Sequence, residues 1–159
     1  MKKIFWLFML TPLVWSCSSD DDNNSDKSEL VDTKWSPEKV VPVLPFIGEN
    51  EDYAQYYPHQ SGCDKDYLLF LDQGEMKTYV HEPDCEVTEQ VQSWEESGST
   101  ITVEYMGYNI TGEVSGSTGN QMIIESDISE YAELINIYYP GIPIPEGAKM
   151  KLYLNKLNN

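Results

Sequence analysis

The sequence contains no arginine, and its 10 basic residues are lysines scattered along the chain against 27 acidic residues. A protein that binds a nucleic-acid polyanion needs basic side chains clustered on one face, so that counterions are released on binding. This composition therefore excludes nucleic acid as a partner. The formal net charge of −17 also disfavours contact with an anionic bilayer surface. Solubility alone is a sufficient explanation for the acidic excess.

Histidine and cysteine, which often carry catalysis or bind metals, are scarce, with 2 histidines and 3 cysteines in the chain. Neither His59 nor His81 lies near a Gly-x-Ser-x-Gly elbow, and residues 20–26 lack the spaced ligands of a calcium loop. Paired carboxylates for glycoside cleavage stay open in so acidic a chain, although solvated surface acids are the simpler interpretation. We therefore predict a protein that is not an enzyme, with no cofactor and no metal site.

The sequence has no apolar run of the roughly 20 residues that a membrane-spanning helix needs. Near the N-terminus, Lys2 and Lys3 precede a shorter apolar run at residues 4–10, a pattern typical of a secretion signal. Val14-Trp15-Ser16-Cys17 resembles the lipobox of bacterial lipoproteins, which implies cleavage before Cys17 and lipid on that residue. We predict that residues 1–16 are the signal peptide. The alternative is an ordinary secretory signal followed by a chance cysteine.

Residues 17–29 are rich in serine and acid and contain almost nothing to bury, so we predict a disordered tether. Loss of Lys2 and Lys3 with the signal lowers the formal charge from −17 to −19. A stretch of this kind after the lipidated cysteine resembles the surface-export signal of Bacteroidota lipoproteins, with a plain linker as the alternative. The predicted location is the outer membrane, at the cell surface or the periplasmic face, with the lipid on Cys17 as the membrane contact.

Residues 30–159 have the size of one domain, and apolar residues there alternate with polar ones between glycine-containing turns. A period of two predicts antiparallel strands. Pro37 and Pro42 confine the first strand to an edge or make it irregular. In the fourth strand, the apolar residues from Val87 to Trp94 alternate with polar Thr88, Gln90 and Gln92. We predict about eight strands, near residues 35–41, 67–71, 76–80, 87–94, 101–105, 108–114, 122–124 and 150–154.

About eight strands with one apolar face each must bury those faces against one another. Closing the sheet into a barrel also removes its exposed edges. We therefore predict an all-β domain, a small antiparallel up-and-down β-barrel, with a β-sandwich as the alternative. Residues 127–137 have apolar side chains at helical spacing, with Asp127 and Ser129 as possible caps, so one short helix is expected to cross an end of the barrel.

The order of several short motifs resembles the lipocalin-like domain of Bacteroidota lipoproteins. These motifs are Trp35, Cys63, Tyr67-Leu68-Leu69-Phe70, Asp72-Gln73-Gly74, Cys85, Trp94 before Gly98, and Ile101-Thr102-Val103. The resemblance covers nearly all of the predicted domain and implies a small barrel with an apolar interior. Residues 42–61, which contain Tyr53, Tyr56 and Tyr57, look like an insertion into it.

With Cys17 assigned to lipid, Cys63 and Cys85 are left in an oxidising compartment, where we predict that they form a disulfide. Cys63 precedes the first strand of a hairpin and Cys85 follows the second, so the hairpin brings them together. A loop of this size stabilises a fold by about 3 kcal/mol in the chain-entropy model. A metal site formed with His59 and His81 is the alternative, although the spacings match no zinc pattern.

Aromatic residues in the long segments outside the strands are the candidates for a ligand or partner surface. They are Tyr53, Tyr56, Tyr57, Tyr131, Tyr138 and Tyr139. Aromatic loops at a barrel mouth suit an apolar or glycan ligand or a partner protein, or they simply cover the barrel end. Two functions follow as hypotheses. The first is a binding protein for a small hydrophobic ligand, and the second is an interaction or inhibitor module in an envelope complex.

Overall fold

The alternating segments of the sequence form a sheet that closes on itself in the computed structural model, which describes residues 28–138, 141 and 143–158. The predicted signal peptide, Cys17 and most of the tether lie outside the described residues. The elements are β1 (Lys34–Leu44), β2 (Gly48–Glu49), β3 (Gln55–Tyr56), β4 (Tyr67–Phe70), β5 (Glu75–His81), β6 (Val87–Ser97), β7 (Thr100–Tyr105), β8 (Tyr108–Thr118), β9 (Gln121–Asp127), α1 (Ala132–Tyr138) and β10 (Lys149–Lys156), with 3-10 turns at Glu51–Tyr53 and Ser129–Tyr131.

Eight of these strands make the barrel. From β4 to β10 each strand pairs antiparallel with the next in the chain, β1 pairs with β4, and β10 returns to pair with β1. The β1–β10 pairing closes the sheet, so the up-and-down barrel is confirmed and the sandwich alternative is not adopted.

Strand β1 is paired on both sides, so the prolines do not confine it to an edge. They accompany an irregularity instead, since the register between β1 and β10 shifts between Pro37 and Lys39. On its other side, β1 pairs with β4 only at Lys34 and Trp35, and further along with β3 and then β2. The predicted insertion therefore includes two short strands that complete the edge of β1.

The chain between β1 and β4 also covers part of the outer barrel wall. Glu49 accepts hydrogen bonds from Lys151 and Tyr153 of β10. The ammonium group of Lys39 is 2.7 Å from a Glu51 carboxylate oxygen and lies 4.7 Å from the ring centroid of Tyr153. Val41, which pairs with Lys151 on the same outer face, is fully buried. Polar pairs and an aromatic ring thus bury an outward-facing valine.

One end of the barrel, here named the base, is the end at which β1, β5, β7 and β9 begin. The buried apolar core lies there and consists of Leu30, Trp35, Phe70, Met76, Trp94, Ile101, Met122 and Leu154. Residues before β1 close this end, because Val31 bridges to Phe70 and the amide of Asp32 donates to the Phe70 carbonyl oxygen. The opposite end is named the mouth.

A short helix lies in the β9–β10 connection at the mouth, as the spacing at residues 127–137 predicts. The carboxylate of Asp127 accepts hydrogen bonds from the backbone amide and the hydroxyl group of Ser129. These bonds hold the pKa of Asp127 below its usual value. Asp127 thus forms an Asx turn into the 3-10 turn that precedes α1, while Ile128, the N-cap residue of that 3-10 turn, has no side-chain cap.

The facing of β6 differs from the prediction. Trp94 pairs with Val103 and Gln92 with Met76, so the even-numbered residues of β6 face inward with the core. Val87 and Val91 instead face outward and are 52% and 54% exposed. Trp94 has the larger apolar surface to bury, and because side chains alternate strictly along a strand, it determines the facing of the others.

Candidate binding site

The inward-facing side chains above the base form a second layer that is only half-buried. Leu68, Val103, Val114, Ile124 and Leu152 pack on the buried core but keep part of their surface exposed. They form the floor of the upper half of the barrel. An apolar side chain that points into a barrel and stays partly exposed indicates an interior that the protein does not fill with its own atoms.

The lining continues from the floor to the mouth along every barrel strand except β4, to which no residue above the floor belongs. Strand register assigns to it Val40, Pro42, Thr78, Val80, Thr88, Gln90, Gln92, Tyr105, Tyr108, Ile110, Ser126 and Met150. None of these side chains is fully buried. We name this set, with its floor, the upper lining.

The upper lining is polar on one side. Strands β5 and β6 contribute Thr78, Thr88, Gln90 and Gln92, and the Thr78 hydroxyl group lies 3.3 Å from the side-chain oxygen of Gln92. The facing strands β1, β8, β9 and β10 contribute mainly aliphatic side chains such as Val40, which pairs with Leu152. The space therefore has one wall that forms hydrogen bonds and one that offers apolar contact.

Tyr131, predicted as a ligand residue, has a structural role at the mouth. Strand β9 pairs with β8 only from Glu113 onward. The part of β8 before Glu113 therefore has an edge with no β9 partner. The Tyr131 hydroxyl group donates to the carbonyl oxygen of Asn109 and accepts from the amide of Thr111. It thereby completes the hydrogen bonding of that edge.

Three other predicted tyrosines, Tyr53, Tyr56 and Tyr57, lie on the β1–β4 segment. Tyr53 and Tyr56 are 63% and 68% exposed on the segment between β1 and β4, and Tyr56 lies near Lys39 on the outer wall. Tyr57 hydrogen-bonds to the buried carboxylate of Asp66. Tyr139 and the side chain of Tyr138 lie outside the described part of the chain.

Cys63 and Cys85 are paired as predicted. Their Cα atoms are 5.4 Å apart, and the disulfide joins the β1–β4 segment to the β5–β6 turn. With the two sulfur atoms bonded to each other, neither is a thiolate that can bind metal. In residues 28–138, 141 and 143–158, no three acidic, histidine or cysteine side chains are grouped as metal ligands.

A polar cluster lies near the disulfide, on the outer wall between the β1–β4 segment and β5. We name Tyr57, His59, Asp66 and His81 the Asp66 cluster. The carboxylate of Asp66 accepts from the backbone amide of His81 at 2.7 Å, and the Nδ1 atom of His81 lies 3.0 Å from it. Burial raises the pKa of Asp66, but the bonds from His81 and Tyr57 outweigh burial and hold it below its usual value. Burial, followed by the bond to Asp66, raises the pKa of Tyr57 to about 12.

His59 and Ser36 lie together but do not form a nucleophile and base. The amide of Asp66 donates to Nδ1 of His59, so this nitrogen carries no proton. Nε2 then carries the proton, and it donates to the carbonyl oxygen of Pro37 at 2.9 Å. The Ser36 hydroxyl group, 3.4 Å from Nε2, therefore has no basic nitrogen to activate it, and Ser36 is only 1% exposed. The arrangement positions the segment on the barrel wall.

Sequence reasoning missed the polar side of the upper lining because it assigned the apolar residues of β6 to the interior. The signal that identifies it is Trp94, which shares its facing with Thr88, Gln90 and Gln92. No pattern in the sequence identifies the Asp66 cluster, because the spacing of its four residues along the chain does not indicate that they meet.

Among the described residues, no helix is long and apolar enough to cross a membrane. Comparisons with protein-family models, with curated protein sequences and with solved structures give no match.

Proposed function

We propose that this protein is a non-enzymatic, lipid-anchored binding protein of the cell envelope that holds a small hydrophobic molecule in the upper half of its barrel. The observation that carries this proposal is the upper lining, where side chains such as Val40, Ile110 and Met150 face inward and stay partly exposed. Apolar concave surfaces with a few polar groups are the usual form of small-molecule sites. The motif order shared with the lipocalin-like domain of Bacteroidota lipoproteins also supports it.

The test is to fill the space from within. Ile110→Trp places a larger side chain inside the upper lining, and Val91→Trp makes the same kind of change on the outward face of β6. Native mass spectrometry of protein purified from its own envelope is expected to detect a bound small molecule in the wild type and in Val91→Trp, and to lose it in Ile110→Trp. Wild-type protein free of any small molecule, or equal occupancy in both variants, would contradict the proposal.

The anchor is a separate part of the proposal and rests on the sequence. Acyl chains on Cys17 bind a bilayer through about 0.8 kcal/mol for each buried methylene group. Labelled palmitate is expected to enter the wild type but not Cys17→Ser, and the variant should leave the membrane fraction. An unlabelled wild type would show that the signal is an ordinary secretory one.

The second candidate function is an interaction or inhibitor module, and the turn after β1 favours it. Phe46 is fully exposed, and its φ of 66° is a left-handed conformation that disfavours a bulky side chain. Its neighbour Ile47 is 67% exposed. A photo-crosslinking residue at position 46 is expected to join one reproducible envelope protein on intact cells if this function holds. A crosslinker at outward-facing position 91 serves as the control.

A further inference from the structure

Above the base, the charged side chains of the barrel wall face outward. On β5, β9 and β10, Lys77, Glu125, Lys149 and Lys151 all face outward by register. The lysines among them form ion pairs on the outer wall, for example Lys77 with Glu89 at 2.9 Å. In the described strands, the upper lining contains no lysine, histidine, aspartate or glutamate.

A charged group on a ligand would therefore enter this space without a side chain of opposite charge to pair with. Moving an ion out of water without a compensating charge costs several kcal/mol. An anion meets a further obstacle at the mouth, where the carboxylate of Glu82 accepts a hydrogen bond from Thr88. These features select against a carboxylate or a phosphate, and also against a cation that must descend to the floor.

The polar side of the upper lining has hydrogen-bonding groups that form no hydrogen bond with other described residues. The oxygen of the Gln92 side chain is used by Thr78, while its amide nitrogen has no partner among the described residues. The side chain of Gln90 likewise has no hydrogen bond in the described chain and lies nearer the mouth. Gln90 is exposed and Gln92 partly exposed, so both amides reach water in the empty barrel. A ligand that covers them keeps affinity only if its own hydroxyl or carbonyl group replaces those bonds.

From this arrangement we infer that the ligand is an uncharged amphipathic molecule, with its apolar side against Val40, Ile124 and Leu152 and its hydroxyl or carbonyl groups against Gln90 and Gln92. This inference rests on the proposed function and names the ligand class for the same site. A long-chain alcohol, diol or glycoside fits that class, and a fatty-acid anion does not.

The experiment compares three probes that share one alkyl chain: decanol, decanoate and decylammonium. Isothermal titration of the full mature chain, at an ionic strength of about 0.15 M to screen the acidic surface, is expected to give decanol a Kd at least about tenfold lower than that of either charged probe. That ratio corresponds to about 1.4 kcal/mol. Equal or tighter binding of decanoate or decylammonium would overturn the inference and leave the proposed function standing. No binding of any probe would overturn the proposed function itself.

Two variants test the polar side directly. Wild-type protein is expected to prefer decane-1,2-diol to decanol by several-fold, and Gln92→Leu to lose that preference. Gln73→Leu, in the exposed turn at the base, is the matched control and should keep it. Gln90→Leu changes an exposed position and provides the same test if Gln92→Leu does not fold. An unchanged preference in Gln90→Leu and in folded Gln92→Leu would overturn the assignment of this wall.

Discussion

The two halves of one barrel are built from the same strands and the same alternation, yet they bury their inward faces to different extents. At the base, Trp35, Phe70 and Leu154 are at most 2% exposed. Leu152 lies on the same face of β10, two residues before Leu154, and stays partly exposed. The difference shows that side chains that point into the barrel form a buried core only where other atoms fill the space around them. Large aromatic side chains and closure by residues 28–33 fill the base, whereas the inward-facing Tyr105 and Tyr108 of the upper half stay partly exposed.

The largest expected effect is a difference in stability loss between alanine substitutions at the two leucines of β10. Leu154→Ala removes a fully buried side chain and is expected to lower the free energy of unfolding by about 4 kcal/mol. Leu152→Ala, at a partly exposed site, is expected to cost about 1.5 kcal/mol, since less contact is lost. Chemical denaturation of both variants measures the difference. Equal losses would mean that the upper half is packed like the base.

Removing the disulfide is expected to have the next largest effect. Cys63→Ser with Cys85→Ser frees a loop with a sequence separation of 22 residues, at a cost of about 3 kcal/mol. The bond joins the β1–β4 segment to the β5–β6 turn and contributes no side chain to the upper lining, so the probe affinities of the folded variant should stay within about twofold of wild type. Denaturation and titration are measured on the same preparation. A loss of decanol binding in the folded variant would show that the two regions are coupled.

Asp66→Asn tests the cluster that holds the β1–β4 segment on the wall. Loss of the charge-assisted bonds from His81 and Tyr57 is expected to cost about 2 kcal/mol at neutral pH. The pKa of Asp66 is lower in the folded state than its unfolded value of about 3.9. Its contribution is therefore fully present above pH 4 and is lost as the pH falls through the folded pKa.

The measurement for Asp66 is unfolding free energy against pH, taken as the difference between wild type and variant. Asp64→Asn, an exposed neighbour, should show almost no difference at any pH. A wild-type advantage over Asp66→Asn that persists unchanged below pH 3 would contradict the assignment.

The smallest effect concerns the β8 edge at the mouth. Tyr131→Phe removes two hydrogen bonds to that edge and is expected to cost about 1 kcal/mol. Hydrogen exchange at the Thr111 amide should become faster, because its partner is the tyrosine hydroxyl group. Tyr53→Phe, at an exposed site, is the control. Unchanged exchange at Thr111 would show that the edge is protected in another way.

The sequence predicts the barrel well because alternation and turn residues are local signals. The turns at Asp72-Gln73-Gly74 and Gly98 lie between β4 and β5 and between β6 and β7, where the sequence indicates them. The facing of β6 is predicted wrongly, because alternation alone does not say which face of a strand points inward. On β6 the two valines suggest one face, but Trp94, paired with Val103, and Gln92, paired with Met76, place the other face toward the core.

The tyrosines show the same limit. Aromatic residues outside strands suggest a binding surface, but Tyr57 and Tyr131 each hydrogen-bond to one distant part of the chain, Asp66 and the β8 edge. Neither contact has a pattern in the sequence, since both depend on how long connections return to the barrel. Propensity and spacing predict strands, and only the closed fold shows which polar groups meet.

The most direct test of the account is a crystal structure of the protein with decanol bound. We expect electron density for the alkyl chain between Leu152 and Ile110, above Phe70, with the hydroxyl group within hydrogen-bonding distance of Gln92 or Gln90. Saturating decanol that leaves this space empty, or inward side chains that have closed it completely, would contradict the claim that the upper half of the barrel is a binding site.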